Sequence, residues 1–264
     1  MGVPGRRGPV IVVALFLLGS CSSPATVDEH PSGAASASPT PSASPERAPG
    51  SPVRFRTADG VRIAGRLFGD GPVGVVLGHS IDGDQSEWWN FAEMLAENGY
   101  VALSIDFRGY CPREGAGCSG EGSTGDAWQD VLAGGAFLRE HGVQRVVVMG
   151  SSMGGTAAVV AAAQRAPGLA GVVTLSAPTE CCGLVADRAL VEGIHVPGLF
   201  IAGRFDAEAP MEARALAKWI GSRGEFLILA SGEHGTDLFG LATPDVEQRT
   251  TQSILDFLDR LREG

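Results

Sequence analysis

Two patterns of hydrophobic and polar positions alternate along residues 53–262. Short, almost continuous apolar runs, such as 73–77 and 143–149, indicate buried strands. Longer segments with apolar residues on one side, such as 87–98 and 245–262, indicate amphipathic helices. Buried strands that are separated by helices predict a parallel sheet covered on both faces.

Eight strands and five helices follow from this pattern. The predicted strands are 53–56, 61–68, 73–77, 100–106, 143–149, 171–176, 198–202 and 226–230. The predicted helices are 87–98, 125–141, 156–165, 211–220 and 245–262. The first two strands form an antiparallel pair, because Asp59-Gly60 between them is a turn signal. Ligands bind at the carboxyl ends of the strands in such a sheet, so the loops there are the places for chemistry.

The beginning of the chain has a different character. Arg6 and Arg7 precede an apolar run at 10–18 that is too short to span a bilayer, which predicts a signal peptide at residues 1–20. Small residues then precede Cys21, an arrangement that resembles a bacterial lipobox. It implies cleavage before Cys21, lipidation of its thiol and anchoring at the outer face of the bacterial cell membrane. The alternative is an ordinary secretory signal in which Cys21 is incidental.

Residues 21–50 are rich in Ser, Pro and Ala and carry almost no large apolar side chain. Such a segment cannot bury enough surface to offset the entropy of ordering, which predicts a disordered tether before a folded domain at 51–264.

The formal net charge of −10 argues against binding of nucleic acid and against electrostatic adhesion to anionic lipid. Membrane contact is therefore expected through the lipid anchor only.

The segment Gly150-Ser151-Ser152-Met153-Gly154 has the form G-x-S-x-G. It stands between the predicted strand 143–149 and the predicted helix 156–165. Strand, sharp turn and helix in this order form a nucleophile elbow, which exposes the hydroxyl of Ser152 above the sheet. The alternative is a serine with a purely structural role in the turn.

A serine hydroxyl is a poor nucleophile near neutral pH and needs a base and an orienting acid. Asp206 lies just after the predicted strand 198–202, and His234 lies just after the predicted strand 226–230. Both belong to loops at the edge where the elbow opens. Glu208 and Asp237 compete with Asp206 for the acid role, and a helix N-cap is its structural alternative.

The other histidines have less suitable positions than His234. They lie in the tether, in the turn after the third strand, at a helix end and before a strand: His30, His79, His141 and His195.

Together these motifs resemble the serine α/β-hydrolase superfamily, particularly its dienelactone-hydrolase-like and acyl-esterase-like members, over residues 54–261. The turn Leu77-Gly78-His79-Ser80-Ile81 is similar to the family's turn after the third strand, with His-Ser in place of the usual His-Gly. Asp106-Phe107-Arg108-Gly109 is similar to the family's fourth-strand ending. The resemblance implies an α/β-hydrolase fold with a mostly parallel eight-stranded sheet and helices on both faces. Dienelactone hydrolases proper use a cysteine nucleophile, so Ser152 does not favour lactone specificity.

The resemblance also implies a role for each residue. Ser152 is the nucleophile, His234 the base and Asp206 the acid that holds the imidazole tautomer. The backbone N–H groups of Met153 and Ile81 bind the oxyanion. The implied reaction is hydrolysis of a carboxylic ester or related small acyl substrate through an acyl-enzyme, with no metal and no organic cofactor.

Four cysteines fall in the predicted folded domain: Cys111, Cys118, Cys181 and Cys182. An even number in an exported protein suggests disulfides, with three possible connectivities. A bond within the first pair closes a short loop, cross-pairs join two loops, and a bond between the adjacent pair is sterically the least favourable. A metal site is disfavoured because no histidine stands at ligand spacing.

Both cysteine-containing loops are expected to border the active site, where a disulfide would fix the pocket wall. The segment between the predicted strands 171–176 and 198–202 is too short for a large lid domain.

Two other functions stay open: a non-catalytic, lipid-anchored binding protein on the same fold, and a peptidase or acyltransferase acting on envelope material. The presence of serine, acid and histidine favours an enzyme.

Overall fold

The computed structural model describes residues 49–111 and 117–264. The predicted signal peptide, Cys21 and most of the predicted tether lie outside the described residues. The strands are β1 (Ser51–Arg56), β2 (Arg62–Phe68), β3 (Val73–Gly78), β4 (Val101–Asp106), β5 (Arg145–Ser151), β6 (Leu169–Leu175), β7 (Glu180–Cys181), β8 (Leu184–Val185), β9 (Gly198–Gly203) and β10 (Gly224–Leu229). The α-helices are α1 (Trp89–Glu97), α2 (Ala127–Glu140), α3 (Met153–Ala163), α4 (Arg188–Glu192), α5 (Ala209–Ile220) and α6 (Pro244–Glu263). Short 3₁₀ turns occupy Gln85–Trp88, Thr124–Asp126, Gly221–Arg223 and Gly235–Phe239.

Eight strands form one sheet in the order β1-β2-β4-β3-β5-β6-β9-β10. Strand β2 pairs antiparallel with both β1 and β4, and the remaining pairs are parallel. Every residue of β3, β4 and β9 is buried, as expected for central strands that are covered on both faces. The predicted mostly parallel, eight-stranded α/β sheet is confirmed.

Each face of the sheet carries its own hydrophobic core. Neighbouring strand residues such as Val147 and Val148 belong to opposite cores, because successive side chains in a strand point to opposite faces. Helices α2, α3 and α5 cover one face, and α1 and α6 cover the other. The sheet is therefore packed on both faces, and the loops at its carboxyl edge extend from a buried scaffold.

The helices differ in how they are buried. Helix α3 consists of small and apolar residues and is buried over most of its length, which lets it lie close to β5. Helix α6 is amphipathic, with Val246, Thr250, Ile254 and Phe257 buried at spacings of a helical face. Among residues 49–111 and 117–264, none of the helices has the length and apolar character that crossing a membrane requires.

Two features between β6 and β9 were not predicted, because the sequence there has no clear hydrophobic pattern. They are the hairpin of β7 and β8 and the one-turn helix α4. Strands of two residues are too short for a hydrophobic period to be read. The segment between β6 and β9 holds these short elements and the loops that join them, which agrees with the prediction that it is too short for a large lid domain.

Candidate active site

Ser152 lies between the last residue of β5 and the first residue of α3. Its backbone has φ of 50° and ψ of −116°, in the region that L-residues rarely adopt. A Cβ at Gly150 would overlap the backbone of Gly154, and a Cβ at Gly154 would overlap the carbonyl of Gly78. The two glycines of G-x-S-x-G therefore permit the close approach of β3, β5 and α3 that forms the elbow.

Asp206 and His234 form a direct hydrogen bond. The Nδ1 of His234 lies 2.9 Å from Oδ1 and 3.0 Å from Oδ2 of Asp206. A carboxylate accepts, so the proton resides on Nδ1 and Nε2 of the neutral ring keeps a lone pair. The Asp206 carboxylate is buried, whereas 48% of the His234 side chain is exposed. Of the three candidate acids, Asp206 is the one that contacts the imidazole.

The loop that carries His234 is bonded to the strand ends beside it. The Thr236 N–H donates to Ser151 Oγ at 3.2 Å, and the Gly235 N–H donates to Ser176 Oγ at 3.0 Å. Ser151 and Ser176 are both buried, and Ser151 immediately precedes Ser152. The imidazole is thereby held at the same rim as the elbow.

The three predicted triad residues are thus brought to one edge of the sheet, but only two of them are bonded. Within the described residues, the Ser152 hydroxyl makes no hydrogen bond to the His234 imidazole. Such contacts are often long before substrate binds.

Three successive peptide groups of the turn after β3, His79-Ser80-Ile81, are each held by a side chain. The Phe107 N–H donates to His79 Nε2 at 3.1 Å, so Nδ1 carries the proton and donates to the Ser80 carbonyl at 2.7 Å. Burial lowers the pKa of His79 to about 4, which keeps this ring neutral. The Tyr110 hydroxyl donates to the Ile81 carbonyl at 3.0 Å. Glu87 accepts from both the N–H and the hydroxyl of Ser80.

The two predicted oxyanion donors have different settings. Met153 is the first residue of α3, where a backbone N–H lacks an intrahelical partner and the helix dipole favours negative charge. Ile81 belongs to the turn after β3, and its side chain is exposed. The Tyr110 hydroxyl also lies 3.9 Å from the sulfur of Met153, so one side chain contacts both donor residues.

His234 lines two cavities. One of about 380 Å³ is bordered by Ser151, His234 and Thr236 and by four acidic residues, which are Asp82, Asp84, Glu87 and Asp237. The other, of about 320 Å³, is bordered by Pro178, Glu180, Asp206 and Glu212. The half-exposed imidazole is accessible from these cavities. Burial raises the pKa of Glu87 to about 7, despite its hydrogen bonds to Ser80.

The loop after β4 is fixed by a buried guanidinium. Arg108 donates from Nη2 and Nε to Asp130, at 2.8 and 3.0 Å, and from Nη1 to Asp59 at 2.9 Å. Asp130 lies on α2 and is fully buried. Loss of one partner would leave a buried charge uncompensated, which is costly. This cluster joins the fourth-strand ending to α2 and to the turn between β1 and β2.

The cysteine sulfurs lie in two local pairs, Cys111 with Cys118 and Cys181 with Cys182. Among these four cysteines, neither cross-pair brings its sulfurs together, and Cys181 and Cys182, whose pairing was expected to be sterically the least favourable, lie next to each other. Tyr110 immediately precedes Cys111 and donates to the Ile81 carbonyl, so the first cysteine-containing loop borders the turn after β3. The hairpin of the second pair is tied to the turn before α2, because Thr124 Oγ1 donates to the Cys182 carbonyl at 2.9 Å.

Several residues of this site carried no signal in the sequence. Ser151, Ser176 and Tyr110 contact residues that are distant in the chain, whereas Glu87 contacts Ser80, seven residues before it. Ser176 directly follows β6, and a polar residue at the carboxyl end of a strand is the one hint that could have indicated it.

Comparison with known proteins confirms the fold. A family model described as the alpha/beta hydrolase fold matches residues 74–188. No curated protein sequence matches the chain significantly.

Solved structures with the same fold are similar over most of the chain. A thermophilic esterase from Thermogutta terrifontis has 19% identity and a TM-score of 0.62, covering 80% of this chain and 98% of its own. An enol-lactonase from Burkholderia xenovorans LB400 has 18% identity and a TM-score of 0.62, covering 78% and 100%. An esterase from Pyrococcus furiosus has 18% identity and a TM-score of 0.64, covering 79% and 90%. The chain has the α/β-hydrolase fold, and its resemblance to that superfamily is confirmed.

Proposed function

We propose that this protein is a serine hydrolase that cleaves a carboxylic ester, or a related small acyl substrate, through an acyl-enzyme. The observation that carries the proposal is the 2.9 Å hydrogen bond between His234 Nδ1 and Asp206. The loop that carries His234 is also bonded to Ser151, the residue before Ser152. The similar folds include two esterases and an enol-lactonase, which supports the same reaction class.

In the first half of the proposed reaction, His234 Nε2 accepts the proton of the Ser152 hydroxyl while Oγ attacks the carbonyl carbon. The new C–O bond displaces the carbonyl π electrons onto oxygen, and the N–H groups of Met153 and Ile81 donate to this oxyanion. Collapse of the tetrahedral species then breaks the bond to the leaving group. The imidazolium returns its proton to the departing alcohol, and Asp206 stabilises the positive ring throughout.

In the second half, water replaces the alcohol. His234 Nε2 accepts a proton from this water, whose oxygen attacks the acyl-enzyme carbonyl. The carboxylic acid leaves as the Ser152 oxygen regains its proton. The scheme needs neither a metal nor an organic cofactor.

The proposal includes the location of the enzyme. Arg6, Arg7 and the apolar run before Cys21 support export, lipidation of Cys21 and anchoring at the outer face of the bacterial cell membrane. We also propose that both cysteine pairs are disulfides that fix the neighbouring loops without taking part in the chemistry. Mass spectrometry of unreduced peptides that found four free thiols would contradict this part.

A panel of p-nitrophenyl esters of increasing acyl length tests the proposed reaction. We expect the wild-type chain to hydrolyse short-chain esters, and the kcat of Ser152→Ala to be lower by roughly 10⁴-fold or more. Ser222→Ala is the matched control, because Ser222 is exposed at the opposite edge of the sheet. A serine variant with unchanged turnover would refute the proposed nucleophile. A wild-type chain that binds esters without turnover would favour the non-catalytic alternative.

A further inference from the structure

Glu87 contacts the turn after β3 with both of its carboxyl oxygens. Its Oε1 accepts the Ser80 N–H at 2.8 Å, and its Oε2 accepts the Ser80 hydroxyl at 2.7 Å. One carboxyl group thus holds one residue at two points. Glu87 lies in the 3₁₀ turn Gln85–Trp88, which leads directly into α1, so its own backbone has a fixed position.

The two bonds matter because of the peptide groups they fix. A residue has only two soft backbone torsions, and these are set when the peptide planes on both sides of it are held. Glu87 holds the plane between His79 and Ser80 through the Ser80 N–H. His79 Nδ1 holds the plane between Ser80 and Ile81 through the Ser80 carbonyl, at 2.7 Å.

That second plane carries the N–H of Ile81, which is the proposed oxyanion donor. In a trans peptide the N–H points away from the carbonyl, so holding the Ser80 carbonyl against His79 turns the Ile81 N–H to the opposite side. His79 alone leaves the other torsion of Ser80 free. The bonds from Glu87 remove that freedom.

We infer that Glu87 is a positioning residue for the oxyanion hole, acting through its two hydrogen bonds to Ser80 on the direction of the Ile81 N–H. This inference rests on the proposed function, because it concerns a donor that matters only during acyl transfer. Glu87 itself does not touch the reacting atoms.

The charge of Glu87 is not what the role requires. Asp84 on its own segment and Asp237 on the turn after His234 both disfavour its ionisation, and Asp82 and His234 border the same cavity. A protonated carboxyl or a carboxamide still accepts the Ser80 N–H with one atom and donates to the Ser80 hydroxyl oxygen with the other. The reach and the two bonds are therefore the properties to test.

Three substitutions separate reach from charge. Glu87→Ala removes both bonds, and Glu87→Asp keeps the charge but shortens the side chain by one methylene. Glu87→Gln keeps the length and both bonds without the charge. We expect kcat to fall roughly 10- to 100-fold for Ala and less for Asp, with KM changed by less than about 3-fold, because one displaced oxyanion donor acts on the transition state. Glu87→Gln should stay within about 3-fold of the wild-type kcat.

The rates are to be measured on p-nitrophenyl acetate and divided by the active sites that a fluorophosphonate labels, so that unfolded protein does not lower kcat. Glu93→Ala, an exposed glutamate on α1, is the control and should match the wild type. A Gln variant as impaired as Ala, or an Ala variant with unchanged kcat per labelled site, overturns the positioning role. If Glu87→Ala does not fold, a Glu87→Asp variant with normal kcat overturns the role in the same way. A wild-type chain without turnover overturns the proposed function and this inference with it, whereas an unaffected Glu87→Ala overturns only the inference.

Discussion

Ser152 adopts a backbone conformation with positive φ, which costs about 1–3 kcal/mol for a residue with a Cβ. The surrounding chain offsets this cost, because the Ser152 N–H donates to the Leu175 carbonyl at 2.9 Å and its carbonyl accepts from Thr156 at 3.1 Å. The same pattern recurs at Ser176, which has φ of 52° and accepts from Gly235 through its hydroxyl. Strained residues at the carboxyl edge of the sheet therefore coincide with the candidate site.

Asp206→Asn tests the acid at the scale of one residue. An amide can present its NH₂ group to Nδ1, which favours the wrong imidazole tautomer, so we expect kcat for ester hydrolysis to fall roughly 10³- to 10⁴-fold. Glu208→Gln is the matched control, because Glu208 is exposed two residues further on and competed for the same role. Steady-state kinetics measures both variants. If Glu208→Gln lost the activity and Asp206→Asn kept it, the acid would be wrongly assigned.

Glu87 also predicts a pH dependence of stability. Burial raises its pKa to about 7 in the folded chain, from 4.5 in the unfolded chain, so the native state holds an extra proton between these values. The stabilisation that comes from protonated Glu87 is therefore fully present below pH 4.5, and it is lost as pH rises through 7. Glu87→Gln keeps the bonds and does not titrate.

We expect urea denaturation to show Glu87→Gln gaining stability relative to the wild type between pH 5 and pH 8. Glu93→Gln should show no such trend, because Glu93 is exposed. An equal difference between Glu87→Gln and wild type at both pH values would contradict the raised pKa.

At the scale of elements, continuous apolar runs made the eight main strands and five longer helices predictable to within a few residues. The hairpin of β7 and β8 was not predictable, because two-residue strands are specified by their neighbours rather than by a period. The same division applies to the site. Ser152, Asp206 and His234 follow strands, and this position is visible in the sequence. The contacts of Ser151 and Ser176 with the loop of His234 depend instead on how distant segments pack.

Gly154→Ala tests the contact between α3 and β3. The added methyl would overlap the Gly78 carbonyl, so we expect a loss of roughly 1–3 kcal/mol or more in the free energy of unfolding, with the elbow displaced. Gly240→Ala is the control, because a Cβ there meets no atom within 4 Å. Thermal denaturation followed by circular dichroism measures both. Equal melting temperatures for the Gly154 variant and the wild type would show that the elbow is not packed as described.

At the scale of the whole molecule, the described domain presents its candidate site at one edge of a sheet held between two layers of helices. Its acidic character offers no electrostatic attraction to anionic lipid, so the proposed membrane contact depends on Cys21. The main sheet and the five longer helices were predictable because the apolar periods of strands and helices alternate regularly along the chain. The substrate was not, because shared acyl-enzyme chemistry serves many substrates on this fold.

Cys21→Ser tests the anchor in cells that process bacterial lipoproteins. We expect the wild-type chain to fractionate with membranes and to require detergent for release. The variant lacks the thiol that is proposed to be lipidated, so it should be free of membranes, because stable anchoring needs two acyl chains or their equivalent. Ser23→Ala, close to the same site, should behave like the wild type. A variant that remained with the membranes would indicate a different means of attachment.

Fluorophosphonate labelling followed by peptide mapping tests most directly whether Ser152 is an activated nucleophile. We expect one adduct per chain on the peptide that contains Ser152, and its loss in both Ser152→Ala and His234→Ala. A folded chain that takes up no label, or carries it on another serine, would show that Ser152 is not the nucleophile.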